Sequence, residues 1–151
     1  MEQISASIAK FILDACKEQV TPYYNDLKQN FKVPSVFFPE VENDNAPSDL
    51  DSYSMGYSWF INFFHSSTNK AYKAAKNVLD RLVSERYYIP IVDENGKATG
   101  GKIRIERAEI KKADDCVYRL WLDWSEIYEY ADLSDEHEKM QTYDISCNIK
   151  E

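Results

Sequence analysis

Along residues 53–64, "YSMGYSWFINFF", Tyr53, Met55, Tyr57, Trp59, Ile61 and Phe63 take alternate positions, with mostly serine, glycine and asparagine between them. A period of two predicts a strand whose odd-numbered side chains enter a core. Phe60 and Phe64 break the alternation on the opposite side, where a solvated strand carries polar residues. That departure predicts cover from a loop or a neighbouring subunit, and makes both residues candidates for a subunit contact. Upstream the period is helical: Ile4, Ile8, Phe11, Ile12 and Ala15 form one stripe, with Lys10, Asp14 and Lys17 outside it. Pro22 is expected to end that helix. Downstream, Ser66 or Ser67 offers an N-cap for a second helix reaching about Glu85. Ala71, Tyr72, Ala75, Val78, Leu79, Leu82 and Val83 share one of its faces, and Lys70, Lys73, Asn77, Asp80 and Arg81 the other.

The intervening segments read as short strands and turns. "KVPSVFF" predicts a strand closed by Pro39, and the following "EVENDNAPSDLD", with five acids and no base, has the composition of a loop. "YYIPIVD" is a strand that Pro90 restricts to a sheet edge or a distorted position. "ENGKATGG" holds the Asn95-Gly96 turn pair within a tip extending from Asp93 to Gly101. "KIRIERAEI" and "CVYRLWLDWSEIYEY" predict two strands of an antiparallel hairpin around "KKADD". After Tyr130 the regular pattern stops. The expected fold is α+β: a single domain over residues 1–130, two helices on a mostly antiparallel sheet of about five strands, then a polar C-terminal arm over 131–151.

Composition narrows the function more than the fold. The chain has 151 residues, of which 44% are hydrophobic, enough to close one core without metals or disulfides. A net charge of -8 argues against nucleic acid as a partner, because phosphate binding draws on Lys and Arg. No run of 18 apolar residues occurs, so no membrane span is expected. Glu2, Lys10, Asp14 and Lys17 interrupt the opening segment in a way unlike a signal peptide, and three cysteines, Cys16, Cys116 and Cys147, do not form a disulfide framework. A cytoplasmic site of synthesis is expected.

Catalytic chemistry finds little support. His65 precedes Ser66 and Ser67, but no G-x-S-x-G elbow surrounds either serine. His137 opens "HEKMQ", where Gln141 stands in place of the second histidine of a zinc motif. The cysteines form no C-x-x-C pair, Gly100-Gly101 lacks the setting of a phosphate loop, and the acids between Asp123 and Glu138 lack the spaced turn glycine of a calcium loop. No enzyme activity, catalytic residue, cofactor or metal is expected.

Charge does segregate. Acids gather in Glu40, Glu42, Asp44, Asp49 and Asp51 and again between Asp123 and Glu138, while Lys70, Lys73, Lys76, Arg81, Lys97, Lys102, Arg104 and Arg107 gather in the second half. An acidic side of one copy meeting a basic side of the next is the kind of contact that closes into a ring. The expected interface residues are therefore the acids of the 40–51 segment, Asn95, Lys97, Lys102 and Arg104 of the hairpin, and Asp132, Asp135, Glu136 and Glu138 of the arm, together with Phe60 and Phe64.

The run "YYNDLKQNFKVPSVFF", the strand "YSWFINFF", the helix "AAKNVLDRLVSERY" and the closing strand "VYRLWLDWSEIY" together resemble the tail terminator, or tail completion, family of phages and prophages of Gram-positive bacteria. The likeness covers residues 1–130 in order and spacing. It implies a structural protein of a virion or phage-like particle, assembled in the bacterial cytoplasm and placed at the head-proximal end of the tail. It further implies a homo-oligomeric, typically hexameric ring that caps the tail tube and meets the head connector. In contractile tails and phage-tail-like bacteriocins, related proteins also meet the sheath. The 40–51 segment and the arm depart from the family pattern. The competing reading is a small-ligand or peptide module using the aromatic face of residues 53–63 as a groove; burial of Tyr57 and Trp59 decides between core and groove.

Overall fold

The computed structural model describes residues 2–27, 29–47 and 49–131. Helix α1 (Glu2–Ala15) buries the predicted stripe of Ile4, Ile8, Phe11, Ile12 and Ala15 and, with them, Ser7. The Ser7 hydroxyl donates to the Gln3 carbonyl at 2.7 Å and accepts the Val92 amide at 2.9 Å, so the one polar residue in the stripe is satisfied. The helix ends at Ala15, well before Pro22. Pro22 instead lies in strand β1 (Thr21–Tyr24), paired in parallel with β2 (Ser35–Phe38) at the sheet margin, where a missing N–H breaks no ladder.

Strands β3 (Glu42–Pro47) and β4 (Ser52–Phe64) follow. β2 and β3 share one side of β4: β2 pairs near Asn62–Phe64, and β3 along Tyr53–Ser58. Helix α2 (Thr68–Ser84) is capped by Ser67, whose hydroxyl accepts the Lys70 amide. β5 (Tyr88–Val92) and β6 (Ala98–Arg104) make a separate two-stranded sheet. β7 (Arg107–Asp114) and β8 (Val117–Glu129) return to the main sheet, whose order is β1-β2-β4-β8-β7 with β3 beside β4.

The architecture is α+β with a mostly antiparallel sheet, as expected. Tyr57, Trp59, Ile61 and Phe63 stand in register with Trp124, Leu122, Leu120 and Tyr118 on one sheet face. α2 lies over β8, β7 and β4, and α1 packs on β5 and α2. The Arg81 guanidinium sits 5.0 Å above the Phe11 ring where the helices meet. Tyr57 and Trp59 are 7% and 4% exposed, so the aromatic face is core and not a groove. Each such large side chain contributes about 1.5–3 kcal/mol by leaving water.

Five expectations are corrected. Among the described residues the two sheets hold eight strands, where about five were expected. The 40–51 segment is not all loop: Glu42–Pro47 is β3, whose polar composition is tolerated because an edge strand draws its order from the ladder with β4. The Asp93–Gly101 tip is shorter, since β6 begins at Ala98. "KIRIERAEI" is two strands, for the chain changes sheets at Ile105-Glu106: the Ile105 amide donates to Tyr87 and the Glu106 amide to Asp123. On α2, Ala74 joins the core while Tyr72 and Val83 are 36% and 47% exposed.

Candidate interaction surfaces

The helices cover one face of the main sheet. On the other, β4 presents Ser58, Phe60, Asn62 and Phe64, β8 presents Arg119, Trp121 and Asp123, and β7 presents Arg107, Glu109 and Lys111. These side chains form a connected layer. Phe60 meets Trp121 with ring centroids 5.2 Å apart, and the Arg107 guanidinium lies 3.9 Å above the Trp121 ring while pairing with Glu109 at 3.0 Å. Asp123 accepts from both the Ser58 hydroxyl and the Trp121 indole at 2.6 Å. Phe64 is covered from within the chain, by Phe31 of the β1–β2 connection at 4.7 Å. A half-buried aromatic layer already oriented by hydrogen bonds loses little entropy when a protein docks on it.

Most of the other expected interface residues are exposed but dispersed. Glu40, Glu42 and Asp44 lie on or just before the free margin of β3. Asp49 has an internal role: its carboxylate accepts the Asp51 and Ser52 amides and the Ser52 hydroxyl, organising the β3–β4 turn. Those bonds, the Asp51 amide first, hold its pKa below the ordinary carboxylate value. Asp51 receives the Tyr130 amide on its carbonyl. Asn95 and Lys97 donate their amides to the Asp93 carboxylate, closing the β5–β6 turn, and Gln3 donates to the Val92 carbonyl, so the hairpin root is tied to α1. Lys102 and Arg104 alternate with buried Ile103 and Ile105 on the outer side. Asp132, Asp135, Glu136 and Glu138 fall outside the described residues.

The two most exposed large apolar side chains among the described residues were not among the expected ones: Leu50, 97% exposed in the β3–β4 turn, and Ile127, 72% exposed near the end of β8. Tyr53 stacks on Tyr128 and meets Tyr130 at the same end. The lone leucine within an acidic run was the signal available in the sequence.

Folding also brings partners to His65. The Ser66 amide donates to Nδ1 at 2.8 Å, which leaves the ring proton on Nε2, donated to Glu18 at 2.9 Å. This pair borders a cavity of about 300 Å³ lined by Cys16, Lys17, Glu18, Lys70, Lys73 and Asn77. The site is poorly built for nucleophilic catalysis. Burial, then Glu18, push the Cys16 thiol up to about 11, so it stays protonated at neutral pH. The Nδ1 lone pair is already engaged by the backbone of Ser66 and is badly placed to take the proton of the Ser66 hydroxyl. Among the described residues there is no cluster of His, Cys, Asp or Glu suited to a metal, and no helix long and apolar enough to cross a membrane.

No family model matches the chain. Among curated proteins, it is 31% identical over 130 residues to the uncharacterised protein YqbJ of Bacillus subtilis (strain 168), covering 86% of this chain and 88% of that protein. The chain belongs to the YqbJ family. It is also 25% identical over 150 residues to XkdJ, a protein of the phage-like element PBSX of the same organism, covering 99% of this chain and 100% of XkdJ. The YqbJ-family chain thus aligns from end to end with a protein of a phage-like element, and shares its size.

Proposed function

We propose that this YqbJ-family protein is a structural component of a phage or phage-like tail, acting as the terminator that forms a ring on the finished tube, stops its polymerisation and offers a surface to the head connector. The full-length kinship with a PBSX protein carries the reading. The open sheet face supports it, because an aromatic and charged layer held in place by internal bonds suits contact with another protein. The mechanism is one of shape: loops and charged margins occupy the tube end, and no residue performs chemistry. The tube protein is the first partner; a sheath protein and the head connector are further ones.

Deleting the gene in a strain that produces the particle tests this. Electron micrographs are expected to show tubes of uncontrolled length, unattached to heads, with normal tails restored by the wild-type gene. Tails of normal length joined to heads in the deletion strain overturn the proposal.

A further inference from the structure

We propose that copies of this chain join head to tail through their sheet margins, β7 of one copy adding to β3 of the next as an antiparallel strand. The inference rests on the ring reading and specifies its contact. Among the described residues both strands are hydrogen-bonded on one side only, β7 to β8 and β3 to β4, so each offers free backbone groups along its outer side, Pro47 contributing no N–H.

Strand direction fits. β3 and β8 run antiparallel to β4, and β7 runs antiparallel to β8. A second copy set beside β7, helices on the same side, therefore presents its β3 antiparallel to β7. The alternation of the sheet continues across the junction.

Charge selects a register. On the open face β3 carries Glu42 and Asp44, and β7 carries Lys111, none of them in an ion pair among the described residues. The Asp44 carboxylate rests over the bare backbone of Gly56, where a Cβ would come within 2.5 Å of its Oδ1. Placing Asp44 opposite Lys111 puts Ala46 opposite Glu109 and carries Glu42 to the end of β7, where the ladder slips between Lys112 and Asp114. Sliding by two residues one way opposes Asp44 to Glu109; sliding the other way sets Lys111 opposite Ala46, without a carboxylate.

Space agrees with the same register. Within one copy Asp44 is level with Gly56, and Lys111 with Asn62. The junction then shifts neighbours by the Gly56-to-Asn62 interval for every four strands. With about 3.3 Å per residue and about 4.8 Å between strands, the strands tilt by roughly 45°, close to the tilt of closed sheets. The incoming β7 runs level with Ser52–Trp59. It stops short of β1, which lies level with Asn62–Phe64 beyond β2.

The test pairs a cross-link with charge reversal. Asn43 and Lys112 face each other in this register, so Asn43→Cys combined with Lys112→Cys is expected to give a ladder of disulfide-linked multimers on a non-reducing gel, absent from wild type and from either single variant. Asp44→Lys and Lys111→Glu are each expected to weaken self-association about tenfold by sedimentation, alone or with tail tube protein, and the double reversal to restore it. An oligomer that ignores both reversals and yields no ladder overturns this contact while leaving the ring intact. A chain that stays monomeric even with tube protein overturns the contact and the ring together.

Discussion

Two buried tryptophans lie side by side in the core and are expected to respond oppositely to the same substitution. Trp59 donates its indole N–H to the Pro39 carbonyl at 2.6 Å. Trp124, 1% exposed, stacks on Tyr57 at 5.5 Å and meets Trp59 edge-on at 6.3 Å, yet its indole nitrogen has no hydrogen-bond partner among the described residues. Changing either to Phe removes one ring, at a cost of about 1 kcal/mol for the residual cavity. At Trp124 the change also removes an orphaned buried donor, whose desolvation costs about 1–3 kcal/mol. Trp124→Phe is therefore expected to lie within about 1 kcal/mol of wild type or to be more stable. At Trp59 it forfeits a satisfied bond and leaves the Pro39 carbonyl to find water, for a total loss of about 2–3 kcal/mol. Urea unfolding followed by far-ultraviolet circular dichroism measures both, with unchanged m-values as the check that only stability moved. Equal losses in the two variants, or a larger loss at Trp124, refute the assignment of an unsatisfied donor there.

Removing the α2 cap with Ser67→Ala is expected to cost about 1 kcal/mol, and Ser67→Asp to recover most of it, read as a thermal midpoint. Asp49 titrates below the ordinary carboxylate value when folded, so its contribution to the β3–β4 turn is present above the unfolded pKa and is lost as pH falls through the folded one. Acid unfolding below about pH 4 should accordingly be shallower in Asp49→Asn than in wild type. Cys16, protonated and buried, is expected to react with iodoacetamide at pH 8 far more slowly than Cys116, the difference vanishing in denaturant when peptides are mapped by mass spectrometry. Rapid labelling of native Cys16 would contradict the packing of the α1 terminus.

Several departures from the sequence reading have a local signature. In "KIRIERAEI" the apolar positions change phase, from Ile103 and Ile105 to Ala108 and Ile110, and the chain changes sheets between those pairs. A phase slip in a period-two pattern forces side chains to the wrong face unless the strand breaks. β1 and β3 had no such signature. "TPYY" contains a proline and "ENDNAP" no large apolar residue, and both become strands because β2 and β4 offer open margins to bond with. The open sheet face was legible in part. Phe64 announced cover by breaking the alternation, but that its cover is Phe31 depends on where the β1–β2 connection returns. The union of Phe60, Trp121 and Arg107 joins residues far apart in the chain and is set by strand register.

What the sequence determined by itself was periodic: the two helices with most of their buried stripes, an N-cap at Ser66 or Ser67, the long aromatic strand, and the α+β class. These follow from repeats of 3.6 and 2 that act within one element and require no partner to be read. Tertiary structure alone decided what depends on pairing: two polar margin strands, the sheet change at Ile105-Glu106, the His65–Glu18 contact, and an open face with acidic and basic free edges on opposite sides. A strand gains its backbone bonds only from a neighbour, so which polar segment becomes an edge, and which charges come to line it, is settled when the sheet closes.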